Sequence, residues 1–97
     1  MKVAVTFYAY LRELTGRKDK LELDMDDGAT VAALLEELCA DSKIKATLFD
    51  KKQQLKPEFT VLKNGREIKF LEGLDTVLIS GDEISIFPLV AGGNQTV

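Results

Sequence analysis

The chain has 97 residues, a net charge of −3 and no histidine, and each of these narrows what it can be. The length suits one domain built around one core. The acidic balance disfavours a phosphate-binding face, and the missing histidine removes the commonest general base and metal ligand.

Lys2 to Tyr8 alternates, with Val3, Val5 and Phe7 on one side and Ala4, Thr6 and Tyr8 on the other, which predicts a half-buried strand. Tyr10 to Thr15 reads as a short helical turn closed by Gly16, and Lys20 to Met25 alternates again. The gap between the two strands suits an antiparallel pair joined by a longer loop. After the turn Asp26-Asp27-Gly28-Ala29, Thr30 stands as an N-cap, followed by Val31, Leu34, Leu35 and Leu38 at helical spacing. This is the best helix in the chain. Its single apolar stripe predicts that it lies across a sheet.

Ser42 to Pro57 predicts one or two helical turns around Ile44, Leu48 and Phe49, then polar surface, and not a second full helix. Phe59 to Lys63 is a strand, Asn64-Gly65 a type I′ hairpin turn, and Arg66 to Ile68 the start of the return strand. Phe70 to Asp75 reads as irregular or 3₁₀ structure. Val77 to Ile79 leads into the turn Ser80-Gly81-Asp82, and Glu83 to Phe87 is the last strand. The order β-β-α-β-β-β predicts an α+β domain of β-grasp type, a mixed sheet with one principal helix across one face. A ferredoxin-like alternative needs a second helix as good as the first.

The last strand meets Pro88, which has no N–H to give a sheet, and the chain then narrows to Gly92-Gly93. Residues 1–88 are therefore expected to form the domain, and 89–97 a thin, extended tail.

Little else carries chemistry. Cys39, alone and on the helix's apolar face, rules out an internal disulfide and reads as a packed thiol rather than a nucleophile. The acid pairs Asp26-Asp27, Glu36-Glu37 and Asp82-Glu83 read as solvated turns and helix surface, and Gly65, Gly73 and Gly81 as isolated turn glycines. No phosphate-loop pattern, metal-ligand cluster or apolar run near the ~20 residues of a membrane span is present. A cytoplasmic protein is expected, with no metal, no bound cofactor, and neither nucleic acid nor membrane as partner. By elimination the chain catalyses nothing by itself, and the tail is its one candidate reactive element.

The tail stretch Ile86-Phe87-Pro88-Leu89-Val90-Ala91-Gly92-Gly93 resembles the end of the MoaD/ThiS family of ubiquitin-like sulfur carriers, particularly the MoaD branch. Phe7 to Gly16, Val31 to Leu38, Leu62 to Arg66, Leu71 to Leu78 and Ser80 to Ile86 extend that resemblance over residues 2 to 93, in the same order. It implies a β-grasp fold and a protein that serves as a reagent, the small subunit of a molybdopterin synthase. A ubiquitin-activator-like adenylating enzyme would use ATP to activate the carboxylate of Gly93. The acyl-adenylate would become a thiocarboxylate, and a MoaE-like large subunit would take its sulfur. Gly92 would be the thin neighbour that threads a narrow channel. Phe87, Pro88, Leu89, Val90 and Ala91 would be the docking arm.

Two departures bear on this. Leu89 stands where members of this branch often place a second proline, a minor change because leucine also suits an apolar groove. Asn94-Gln95-Thr96-Val97 follow Gly93, so its carbonyl is an amide that cannot be adenylated. Either a protease trims the chain after Gly93, or the tail is permanent and the domain is an interaction module, or these residues are an appended sequence. A ubiquitin-like modifier joined to lysines through Gly93 is the further alternative.

Overall fold

The alternation at the N-terminus becomes β1 (Lys2–Phe7), whose Val3, Val5 and Phe7 are wholly buried. A computed structural model describes residues 1–88 of the chain; Leu89 to Val97, and with them the tail expected from the sequence, lie outside the described residues. α1 (Leu11–Leu14) is a single turn that buries Leu11, and Gly16 ends it in the left-handed region at φ 73°. β2 (Leu21–Asp24) returns antiparallel to β1, placing Leu23 opposite Val3 and Leu21 opposite Val5.

α2 (Val31–Leu38) crosses the sheet with Val31, Leu34, Leu35 and Leu38 buried, the stripe expected from its spacing. Thr30 caps it, its hydroxyl accepting from the Ala33 N–H at 3.3 Å. Burying each of these side chains stabilises the fold by roughly 1.5–3 kcal/mol in transfer terms.

α3 (Ser42–Leu48) goes further than the sequence suggests: at 7 residues it nearly equals the 8 of α2. Its helicity has two local causes. The Asp41 carboxylate accepts from the N–H groups of Lys43 and Ile44, and Ile44 and Leu48, one turn apart, both bury on the core side. A two-turn helix needs no longer apolar stripe than that.

β3 (Phe59–Lys63) and β4 (Arg66–Glu67) form the expected hairpin, with Asn64 and Gly65 at φ 50° and 85° as a type I′ turn requires. Two 3₁₀ turns, Ile68–Phe70 and Gly73–Asp75, carry the chain back to the start of α2. There Val31 donates its N–H to the Thr76 carbonyl at 2.9 Å, and Leu78 donates to that of Ala29 at 2.8 Å.

β5 (Glu83–Pro88) then enters the middle of the sheet, giving the order β2-β1-β5-β3-β4. It runs parallel to β1 and antiparallel to β3. Ile84 and Ile86 point inward with Val61 and Phe59 to complete the core under α2 and α3. The mixed sheet with its principal helix on one face is the β-grasp architecture. Among the described residues, no helix is long and apolar enough to cross a membrane.

Candidate functional site

The candidate site is the end of β5, because the two glycines follow that strand in the sequence. Pro88 is the last described residue; it is buried and sits opposite Phe59. Phe87, one residue earlier, points to the other side of the sheet, which no helix among the described residues covers. It stacks on Tyr8, with ring centroids 4.3 Å apart and planes 13° from parallel. The Tyr8 N–H donates to the Ile86 carbonyl at 3.1 Å, which holds the two rings in step. Offset stacking of this kind adds about 0.5–1.5 kcal/mol beyond burial.

Tyr8 is 37% exposed, and Tyr10 and Leu14 nearby are more open still. Of the three, Tyr8 lies beside the end of β5. Below the rings the outer face carries small side chains: Thr6 lies opposite Ser85, and Thr60 opposite Phe87. The outer face at the end of β5 is thus a low platform with two stacked aromatic rings.

Of the residues expected at the site, Phe87 and Pro88 are thus placed, one presenting a ring and the other buried as the strand's last rung. Leu89, Val90, Ala91, Gly92 and Gly93 lie outside the described residues. Tyr8 is the member sequence reading missed. The available signal was its place on the outward side of β1, where an aromatic residue faces away from the core.

Other candidates do not gather into a reactive centre. Cys39 packs against the core, and burial raises its thiol above the ordinary value, with Lys45 opposing and Glu36 adding to the effect. It lines a cavity of about 720 Å³ with Leu35, Phe49, Leu55 and Leu74. Glu36, Lys52, Gln53 and Gln54 also line it, so its surface mixes apolar and polar side chains. Among the described residues no cluster of three or more acidic, cysteine or histidine side chains is arranged to hold a metal ion.

Asp26, Asp27, Glu36 and Glu37 are exposed, as expected. Asp82 is not. It is only 4% exposed, and its carboxylate accepts from the Asn64 side-chain amide at 2.9 Å and the Ile79 N–H at 2.8 Å, with the Lys63 ammonium 3.6 Å away. It fastens the turn before β5 to the β3–β4 hairpin, a structural task that requires burial, so the solvated reading fails for this residue.

The fold is that of a ubiquitin-like β-grasp domain. The chain belongs to the ThiS family, whose model matches residues 5–93, placing it among the ThiS/MoaD ubiquitin-like sulfur carriers. It is 41% identical to small archaeal modifier protein 3 of Haloferax volcanii over 93 residues, covering 96% of this chain and all of the relative. It is 31% identical to the sulfur carrier protein CysO of Mycobacterium tuberculosis over 96 residues, again 96% of this chain and all of the relative.

Solved structures agree on the fold. The crystal structure of SAMP1 from Haloferax volcanii superposes with a TM-score of 0.81 at 28% identity, over 96% of this chain and 100% of that one. A structure from Pyrococcus furiosus described as a molybdopterin converting factor, subunit 1, gives 0.71 at 30% identity, over 93% and 99%. Members of the family are sulfur carriers rather than catalysts, and they work with activating enzymes.

Proposed function

We propose that the chain is a sulfur carrier whose working group is the carboxylate of Gly93, with a MoaD-like role as the small subunit of a molybdopterin synthase. The observation that carries this reading is that the family match runs to residue 93, the second of two glycines beyond the central strand, and stops there.

The chemistry has three steps. Water is added across the Gly93–Asn94 amide by a protease, releasing Asn94-Gln95-Thr96-Val97 and freeing the carboxylate. That carboxylate attacks the α-phosphorus of ATP in the activating enzyme, expelling pyrophosphate and leaving an acyl-adenylate. A sulfide-level sulfur nucleophile then displaces AMP, giving a thiocarboxylate that the large synthase subunit consumes. The chain itself binds no cofactor. It contributes a side-chain-free end that fits a narrow channel and an unhindered carboxylate. Phe87, with Tyr8 stacked on it, offers the partner a rigid apolar grip next to Pro88.

Intact mass of the protein isolated from its native cells tests this. A species ending at Gly93, with one oxygen replaced by sulfur, is expected; a chain still ending at Val97 in every growth condition refutes it. In the trimmed protein, Gly93→Ala is expected to impair activation while barely moving the thermal midpoint.

The 41% identity to small archaeal modifier protein 3 favours a second reading, in which Gly93 is joined to lysines of other proteins. Activation is common to both, so the acceptor decides between them. Isopeptide-linked Gly93 in a cellular digest supports the modifier. Its absence, together with molybdopterin synthesis that depends on the protein, supports the carrier.

A further inference from the structure

The sheet ends in two edges of unequal length. β4 closes one side with 2 residues, whereas β2 lines the other with 4, and among the described residues no strand lies beyond it. The Met25 N–H donates to the Met1 carbonyl at 2.8 Å, and the Met1 ammonium returns a bond of 2.8 Å to the Met25 carbonyl. In the register Val3 to Leu23 and Val5 to Leu21, the odd residues of β2 therefore face β1. Lys20, Glu22 and Asp24 turn their N–H and C=O groups outward, a bare row of donors and acceptors.

The side chains along this edge alternate as well. Leu21 and Leu23, opposite Val5 and Val3, lie on the helix side, where they line a groove with Leu38 and Ile44. Arg17 and Asp41, on its polar wall, hold each other at 2.9 Å, and Glu37 beside them is exposed. Lys20 and Glu22 lie on the other side of the sheet and carry opposite charges. Lys20 is 3.1 Å from Glu83, and Lys2 is 3.1 Å from Asp24, all four side chains being exposed. Glu22 has no cation within 4 Å among the described residues. A lysine alone on an edge keeps other strands away, whereas a lysine two residues from a glutamate also matches an antiparallel copy of itself.

We infer that β2 is a self-association edge, which pairs antiparallel with β2 of a second copy of the chain. A two-fold axis makes the contact isologous, so the register fixes which charges meet. In two of the registers that keep Leu21 and Leu23 on the helix side, a like pair falls on the axis, Lys20 on Lys20 or Glu22 on Glu22. In the register between them the axis passes at Leu21, and each Lys20 lies opposite a Glu22 of the other copy. Each such pair exchanges both main-chain bonds, and the two Leu21 side chains meet at the closer, non-hydrogen-bonded position. Glu22 thereby gains the cation it lacks. Lys18 and Asp19 precede β2, and the pairing does not depend on them. β1 stands between β2 and β5, so the end of β5 stays free in such a dimer. The contact needs no chemistry at Gly93 and stands apart from the function proposed above.

Sedimentation equilibrium of the full chain tests this from about 10 µM to about 1 mM, the range in which so small an interface is expected to associate. A monomer–dimer equilibrium is expected. Amide exchange at Lys20 and Glu22 should slow as concentration rises, while that at Glu67, on the β4 edge, should not change. Lys20→Glu and Glu22→Lys should each weaken the dimer by about tenfold or more, and the two together should restore it to within about threefold of the parent. Lys52→Glu, the same charge change away from β2, should leave it unaltered. A monomer throughout that range overturns the inference, whether the edge then stays bare or takes up a strand of another protein. So does a dimer that both single reversals leave intact, one that the combined variant does not restore, or one whose newly protected amides lie elsewhere.

Discussion

Asp82→Ala probes how the start of the central strand is held. In the native protein one carboxylate oxygen accepts from the Asn64 amide and the other from the Ile79 N–H. Asn64 completes the clasp by accepting from the Glu83 N–H at 2.9 Å, while its own N–H donates to the Glu83 carbonyl at 2.8 Å. Removing the carboxylate deletes two hydrogen bonds to a charged acceptor, worth about 1.5–3 kcal/mol each. It also leaves the Lys63 ammonium, 21% exposed, without its partner. Water reaches this turn and recovers part of the loss, so a net cost of about 3 kcal/mol is expected, which for a domain of this size lowers Tm by about 12–24 °C. Differential scanning calorimetry measures the shift. Asp82→Asn, which keeps the shape and one acceptor, should fall between. Asp82→Ala and Asn64→Ala should be non-additive in a double-mutant cycle, because they break the same bond. A fall of less than about 4 °C for Asp82→Ala, the least that even a 1 kcal/mol loss would produce, or simple additivity, refutes the clasp.

Three other perturbations test single sites. Leu34→Ala, in the buried stripe of α2, should cost about 2–5 kcal/mol in urea unfolding, whereas exposed Glu37→Ala should stay within about 0.5 kcal/mol; similar values would mean that α2 does not carry the core. The Asp41 carboxyl is held below its ordinary value by the Ile44 N–H first and then by the Arg17 guanidinium. Its contribution is therefore complete above the unfolded value of about 3.9 and is lost as pH falls through the lower folded value. Asp41→Asn keeps an N-cap acceptor but removes the charge, so it should flatten the acid limb of a Tm-against-pH curve below about pH 4; an unaltered limb refutes the assignment. Burial raises the Cys39 thiol, so alkylation by iodoacetamide at about pH 8 should run several-fold slower than for a free cysteine peptide, and an equal or faster rate would show an activated thiol.

What could be read in the sequence was what local spacing determines. Period two in β1, the i, i+3, i+4, i+7 stripe of α2, the Thr30 cap and the left-handed demand of Asn64-Gly65 depend on residues close together in the chain, and the structure meets each of them. Features joining distant segments were not legible. Nothing in Glu83 to Pro88 states that it will lie between β1 and β3, because a short alternating run fits a central or an edge strand equally well. Asp82 reads as turn surface because its partners Lys63 and Asn64 come from a distant hairpin and Ile79 from the far side of the turn. Tyr8 joins Phe87 only once the two strands run parallel, and α3 shows weakly because two core residues suffice for two turns. The stacking of Tyr8 on Phe87 is visible only in three dimensions, whereas the two glycines proposed as the working end are read from the sequence.

That contrast reflects how a carrier divides its tasks. A strand in the middle of a sheet is hydrogen-bonded on both sides, so its end cannot swing without breaking the ladders to β1 and β3. Pro88, opposite Phe59, brings no N–H to its rung of the ladder. The body up to Pro88 is thus held in place by the sheet, while the sequence from Leu89 to Gly93 is short, uncharged and increasingly poor in side chains. In the function proposed above, the partner supplies the catalytic groups and this chain supplies the carboxylate they act on. The proposed function therefore makes the stability of the β-grasp core and the chemistry at Gly93 separable. Substitutions in α2 should change how long the carrier survives without altering its chemistry at saturating partner, and Gly93→Ala should do the reverse.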